Sequence, residues 1–305
     1  MPTPSEPAWR GEWAARTDTP KRSVFGNYRA DGLSRPEPAR SPTNLQDAGP
    51  EPGAPLQAVI DLAVARAFIH RFLAKAYEDP MPEDWRWLTH PQTINSLRAA
   101  NAFVGQSLLP SAEALIGALQ PAGFDSFLNA YLAAFGHAAR GSCPLNEIEY
   151  GDIKADPLFQ PHRLADLAAF YRAFGLEVTA DADERQDHIC LELEFMCVLA
   201  AKEAYAHEHQ LDADPLAQCR DAQKKFLREH LGRWTPAFTR RLAATTGEPT
   251  LFAIAEFTRA FIESECARFG VNPGSEELSL RPVDEAADRM CGSCGLSGVT
   301  PEVTT

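Results

Sequence analysis

Carboxylates, histidine and cysteine crowd into three short stretches of the sequence. Residues 140–157, RGSCPLNEIEYGDIKADP, bring Cys143, Glu147, Glu149, Tyr150, Asp152 and Asp156 into one segment that also carries proline, asparagine and glycine. That composition reads as a loop, and loops carry binding groups more often than packed faces do. No core demands four acids there; they are either cation receptors or a hydrophilic connection facing water. Residues 184–203, ERQDHICLELEFMCVLAAKE, place His188 and Glu192 four apart, hence on one helical face, beside an apolar stripe of Leu191, Phe195, Val198 and Leu199. Asp187, His188, Glu192 and Glu194 beside that stripe fit polar groups held at a groove edge. A His and a Glu one turn apart also fit metal ligation, but helical di-metal sites draw matching Glu-x-x-His pairs from several helices, and the sequence has none. The plainer alternative is a capping Asp, a hydrogen-bonded His and solvated glutamates. Cys291-Gly-Ser-Cys294 lacks the second pair that zinc needs and the βαβ setting of a redox dithiol. It reads as two exposed thiols, with a metal or cluster contact as the other reading. Phosphate-binding loops, nucleophile elbows and HExxH are absent from the sequence.

The elements that must position these stretches are helical. Residues 1–55 are rich in Pro, Gly, Ser, Arg and Glu, with almost no apolar periodicity. Such a segment buries too little surface to offset its ordering entropy, and it reads as a disordered extension. After Pro55, Leu56, Val59, Ile60, Val64, Phe68, Phe72 and Leu73 recur at three-to-four residue spacing up to Pro80, which predicts a long helix. Two or three short helices follow between Pro80 and Pro121, then one marked by Phe124, Phe127, Tyr131 and Phe135. Another is marked by Leu164, Leu167, Tyr171 and Phe174, with Gly175 as its C-terminal cap. Asp181 and Glu184 fit a capping box for a helix reaching about Ala206. Further helices are expected over 215–231 and 249–269, the last stopped by Gly270. No strand alternation and no repeat is evident. The expectation is an all-α chain: one globular helical domain over 56–272, between the disordered extension and a loose tail at 273–305 that carries the CxxC.

Composition narrows the function classes. A formal net charge of -13 disfavours nucleic acid, whose binding relies on Lys and Arg neutralising phosphates. An acidic surface suits a basic partner or simply keeps the chain soluble. No run of about 18 apolar residues calls for a membrane helix. The N-terminus, MPTPSEPAWRGEW, has no apolar h-region, and the odd number of cysteines, 7, fits reduced thiols. A cytoplasmic protein without membrane insertion is expected.

Three stretches together, CPLNEIEYG, DERQDHICLELEFM and FLREHLGRW, resemble the TorD/DmsD/NarJ-type redox-enzyme maturation chaperones. Within that family they are most similar to the chaperones of type II DMSO reductase-family enzymes, such as those for ethylbenzene dehydrogenase, selenate reductase and chlorate reductase. The resemblance implies a TorD-like helical bundle, no cofactor and no catalysis of its own. It implies binding of an apo molybdenum catalytic subunit, often through the subunit's N-terminal leader, before cofactor insertion and twin-arginine export. By residue, it marks Glu147, Glu149 and Tyr150 in the loop, the pair Asp187 and His188, and Glu192, Glu194, Phe195 and Met196 on the helix after it as partner-binding. Arginines of a leader would pair with Glu147, Glu149 and Glu192, and Phe195 and Met196 would line an apolar groove. On that reading, Glu147→Gln with Glu149→Gln weakens partner binding and leaves the melting temperature nearly unchanged. Two rivals remain: a helical metalloprotein or enzyme built on His188 and Glu192, and a permanent structural subunit of an oxidoreductase complex.

Overall fold

Helix α1 (Leu56–Tyr77) is apolar on almost every side, and a helix without a polar face belongs inside a bundle. It lies there, packed most extensively on α7 (Ile189–Glu208), whose sequence is equally apolar all round. The computed structural model describes residues 55–136, 141–151, 159–178 and 184–281. Around the central pair stand α2 (Pro82–Leu88), α3 (Pro91–Val104), α4 (Leu109–Leu119) and α5 (Phe124–Phe135), followed by α6 (Phe159–Ala173). After α7 come α8 (Ala213–Glu229), α9 (Leu231–Thr245) and α10 (Pro249–Arg268), with α9 packed against both α8 and α10. Among the described residues the regular elements are helices, and isolated bridges join Asn146 to His188 and Tyr150 to Leu280. One continuous core of aromatic and aliphatic side chains runs through the bundle.

The expected helices are present, and their stops work as the sequence suggests. Gly175 and Gly270 take φ of +75° and +61° at the ends of α6 and α10, a backbone shape that side chains with a Cβ resist. Two expectations change. α7 begins at Ile189, capped by His188, whose ring nitrogen accepts the Cys190 amide proton; Glu184 lies in the bend before it rather than in a capping box. And α9 is a whole helix where the sequence reading stopped at Leu231. Gly232 and Pro236 within a few residues look like a break, yet nine of its residues are buried, which outweighs their low helical propensity. Pro236 cannot donate to the carbonyl of Gly232 one turn back, and that oxygen instead accepts the Gly274 amide at 2.9 Å.

The charges inside the bundle are matched. Arg66 of α1 donates to both oxygens of Glu265 at 2.8 and 3.0 Å, to Glu203 at 2.8 Å and to Gln223 at 2.5 Å, tying α1 to α7, α8 and α10. Burial opposes charge at each of these groups, and close pairing overcomes it. The Arg66 pKa is raised, while Glu203 and Glu265 are held below the usual carboxylate range, Glu265 far below. Residues 1–54 and 282–305, with the extension, most of the tail, Cys291 and Cys294, lie outside the described residues, as do Asp152, Asp156 and Asp181. No helix among the described residues is long and apolar enough to cross a membrane.

Candidate functional site

The loop 141–151 and the start of α7 are locked together by one carboxylate. Asp187, buried, accepts the Ile148 amide at 3.1 Å and the Asn146 side-chain amide at 3.2 Å. Arg185 clamps the same carboxylate with two bonds of 2.9 Å, a geometry suited to a guanidinium. Backbone bonds Glu147 N to Asp187 O and Ile189 N to Leu145 O, both 2.9 Å, complete the junction. Tyr150 fixes the far end of the loop: its hydroxyl donates to the Pro144 carbonyl at 2.8 Å and its ring packs on Trp234 and Phe238 of α9.

Within this frame Glu147 is fully buried and already surrounded by basic side chains. Its Oε2 lies 2.9 Å from His230 Nδ1, its Oε1 accepts from Arg233 at 3.0 and 3.2 Å, and Arg163 of α6 stands 3.5 Å away. His230 turns its other nitrogen to Asp166 at 3.1 Å, so two carboxylates bracket one ring. Burial pushes the Glu147 carboxyl upward, but His230, Arg233 and Arg163 prevail and hold it below its ordinary value. Glu192, also fully buried, behaves oppositely. Burial and the neighbouring charge of Glu147 raise it well above the carboxylate range, and its Oε2 accepts the Trp234 indole proton at 3.0 Å. Two glutamates in one cluster thus shift in opposite directions: Arg233 and Arg163 pair directly with Glu147 and act on Glu192 only from farther off.

His188 serves as a cap. Burial lowers it to about 4, so the ring is neutral and can accept the Cys190 amide, with the Cys190 thiol 2.9 Å from the same nitrogen. His188 faces Cys190 while Glu192 faces Trp234, so the two do not converge, and no group of three or more His, Cys, Asp or Glu fit for a metal occurs among the described residues. Phe195 and Met196 are core residues, with Phe195 meeting Tyr171 and Phe226 edge-on. Glu149, 4% exposed, lies between Arg185 at 3.7 Å and Arg281 at 3.6 Å. Glu194 sits two residues past Glu192 on α7, near Lys75 and Glu78; burial, then the Glu78 charge, pushes it to about 8.

Of the marked residues, the structure brings Glu147, Glu149, Tyr150, Asp187, His188 and Glu192 into one junction and leaves Glu194, Phe195 and Met196 on its helical flank. Two of the four acids that looked dispensable to a core, Glu147 and Glu149, are inside one, faced by Arg163 of α6, Arg233 of α9, Arg185 of the bend before α7 and Arg281. Sequence reasoning did not single out Arg163, Asp166, Arg185, His230, Arg233 or Trp234. A signal existed for three of these, because FLREHLGRW contains His230, Arg233 and Trp234.

Residues 98–240, which include every marked residue, match the nitrate reductase delta subunit family. The selenate reductase assembly chaperone protein of Thauera selenatis is 33% identical over 160 residues, 50% of this chain and 80% of that protein. The dimethyl sulfide dehydrogenase assembly chaperone protein of Rhodovulum sulfidophilum is 31% identical over 181 residues, 55% of this chain and 69% of that one. The perchlorate reductase assembly chaperone protein of Dechloromonas aromatica is 34% identical over 115 residues, 38% of this chain and 50% of that one. An all-helical bundle with this likeness falls in the class of redox-enzyme assembly chaperones. The chain belongs to the nitrate reductase delta subunit family, the TorD/NarJ type.

Proposed function

We propose that this chain is a system-specific chaperone for the catalytic subunit of a DMSO reductase-family molybdenum enzyme. It binds the apo subunit in the cytoplasm, keeps it open for cofactor insertion and holds back twin-arginine export until maturation is complete. The observation that carries this reading is the 31–34% identity to relatives named for the assembly of a selenate reductase, a perchlorate reductase and a dimethyl sulfide dehydrogenase, together with a family match over 98–240 that contains the polar junction. The acidic net charge, -13, favours a partner segment with arginines.

Within the proposal, Glu147, Tyr150, Asp187, His188, Glu192, Phe195 and Met196 act on the partner through the shape they give the loop, because their side chains are buried. Glu149 is buried as well, between Arg185 and Arg281, while Glu194 is partly buried on the flank of α7. Affinity capture of the tagged full chain from its native cells, with mass spectrometry of what co-purifies, tests the reading. A molybdenum-enzyme catalytic subunit recovered without its cofactor supports it. A chain recovered alone with stoichiometric metal removes it in favour of a metalloprotein.

A further inference from the structure

Residues 273–281, which the sequence places in a loose tail, run back along the polar junction. The segment is fastened at Gly274, whose amide donates to the Gly232 carbonyl left free by Pro236. A Cβ on Gly274 would meet the Arg233 carbonyl oxygen at 1.9 Å, so only glycine allows this approach. Farther on, the chain adds itself as a short antiparallel strand to the loop. Gly151 N donates to Ser279 O and Arg281 N donates to Glu149 O, both at 2.9 Å, with Tyr150 opposite Leu280. The side chains alternate as a half-buried strand requires: Leu278 and Leu280 pack on the core, while Glu277 and Ser279 are exposed. Arg281 then brings its guanidinium to within 3.6 Å of the Glu149 carboxylate.

Everything a peptide-docking edge needs is therefore present in the loop: a backbone donor and acceptor, an apolar seat for alternate residues, and a carboxylate for an arginine one place beyond. We propose that the 149–151 edge is a docking site for an extended partner segment of the pattern apolar–x–apolar–Arg, and that residues 278–281 are its resident intramolecular occupant. The partner segment displaces the resident strap, and the strap keeps the edge closed to other chains when no partner is bound. This inference rests on the chaperone reading for its partner but not for the edge itself.

A labelled peptide of residues 276–283, EELSLRPV, tests the edge without any client. It is titrated against the full chain and against the full-length variant Leu280→Ser with Arg281→Pro, which removes the apolar seat-filler, the 281 amide and the guanidinium. In the unaltered chain the tethered strap competes at an effective concentration on the order of millimolar. The variant should bind the peptide at least tenfold more tightly, and adding Glu149→Gln should reverse most of that gain. Equal binding, or none, by a variant with native circular dichroism overturns the proposal. Hydrogen exchange on the unaltered chain asks the same question with no substitution. Binding of the captured apo subunit should expose the Arg281 amide while the Gly151 amide stays protected by its new partner. Both amides remaining protected in the complex overturns the displacement. A subunit that does not bind refutes the proposed function instead, and the peptide titration alone then decides the edge.

Discussion

Replacing Glu147 by Gln keeps the shape of the side chain and removes a charge that His230, Arg233 and Arg163 all face. Breaking a buried ion pair from one side costs about 3–5 kcal/mol, because the partners left behind stay desolvated. Arg233 and Arg163 are 21% and 20% exposed, so water relieves part of that cost. The lower end, about 3 kcal/mol, applies, and a helical domain of this size should then melt roughly 6–12 °C lower. This departs from the sequence-only expectation of a nearly unchanged melting temperature, which assumed a solvent-facing acid. The dependence on pH gives a second handle. Because the folded-state pKa of Glu147 is depressed, its stabilisation is present above the ordinary carboxylate value of about 4.3 and is lost as pH falls through the folded value. The gap between wild type and Glu147→Gln should be widest near neutral pH and close in acid. Thermal unfolding at pH 7 and stepwise down to about pH 2, through the depressed folded-state value, measures both. Glu113→Gln, which breaks the exposed pair with Arg98, is the control and should leave the melting curve where it was. A loss below about 2 °C at pH 7, or a gap that persists in acid, would refute the buried-cluster account.

Arg66→Met takes from Glu265 its bidentate guanidinium and leaves Glu203 with Arg220 alone as a close cation, and should lower stability by about 3 kcal/mol in urea unfolding. Arg66→Met with Glu265→Leu should recover part of that, and no recovery would show that packing rather than charge was lost. Glu194→Gln should act in the opposite sense to Glu147→Gln. With the folded carboxyl pushed up to about 8, the wild type loses stability between the ordinary value of about 4.3 and 8, where only the unfolded chain ionises freely. The variant's melting temperature relative to wild type should therefore rise from pH 5 to pH 8, and a constant difference contradicts the shift. Burial raises the thiols of Cys143, Cys197 and Cys266 to about 12 and Cys219 to about 11. A thiol-exchange reagent followed by peptide mapping should leave these four unlabelled in the native chain at pH 7.5 and label them in denaturant. Rapid native labelling at any of them would place that thiol at the surface.

Hydrophobic spacing and punctuation were enough for the helical architecture. Seven-fold recurrence of large apolar residues along 56–73 admits only a helix buried on several sides, and the glycines at 175 and 270 end α6 and α10 because the backbone there must take positive φ. The motif stretches also pointed to the right region, since local order along the chain is what a motif records. Position in space was another matter. Whether Glu147 faces water or a core depends on Arg163, 16 residues later, and on His230 and Arg233, more than 80 residues away. Whether Gly232 and Pro236 break a helix depends on how much of α9 the bundle buries. Whether residues 273–281 are loose depends on a carbonyl that Pro236 leaves without a donor. The first and last answers are long-range pairings of charges or hydrogen bonds, with low cost only once both groups leave water together, and the second is burial by helices distant in the sequence; a local reading contains just one side of each contact.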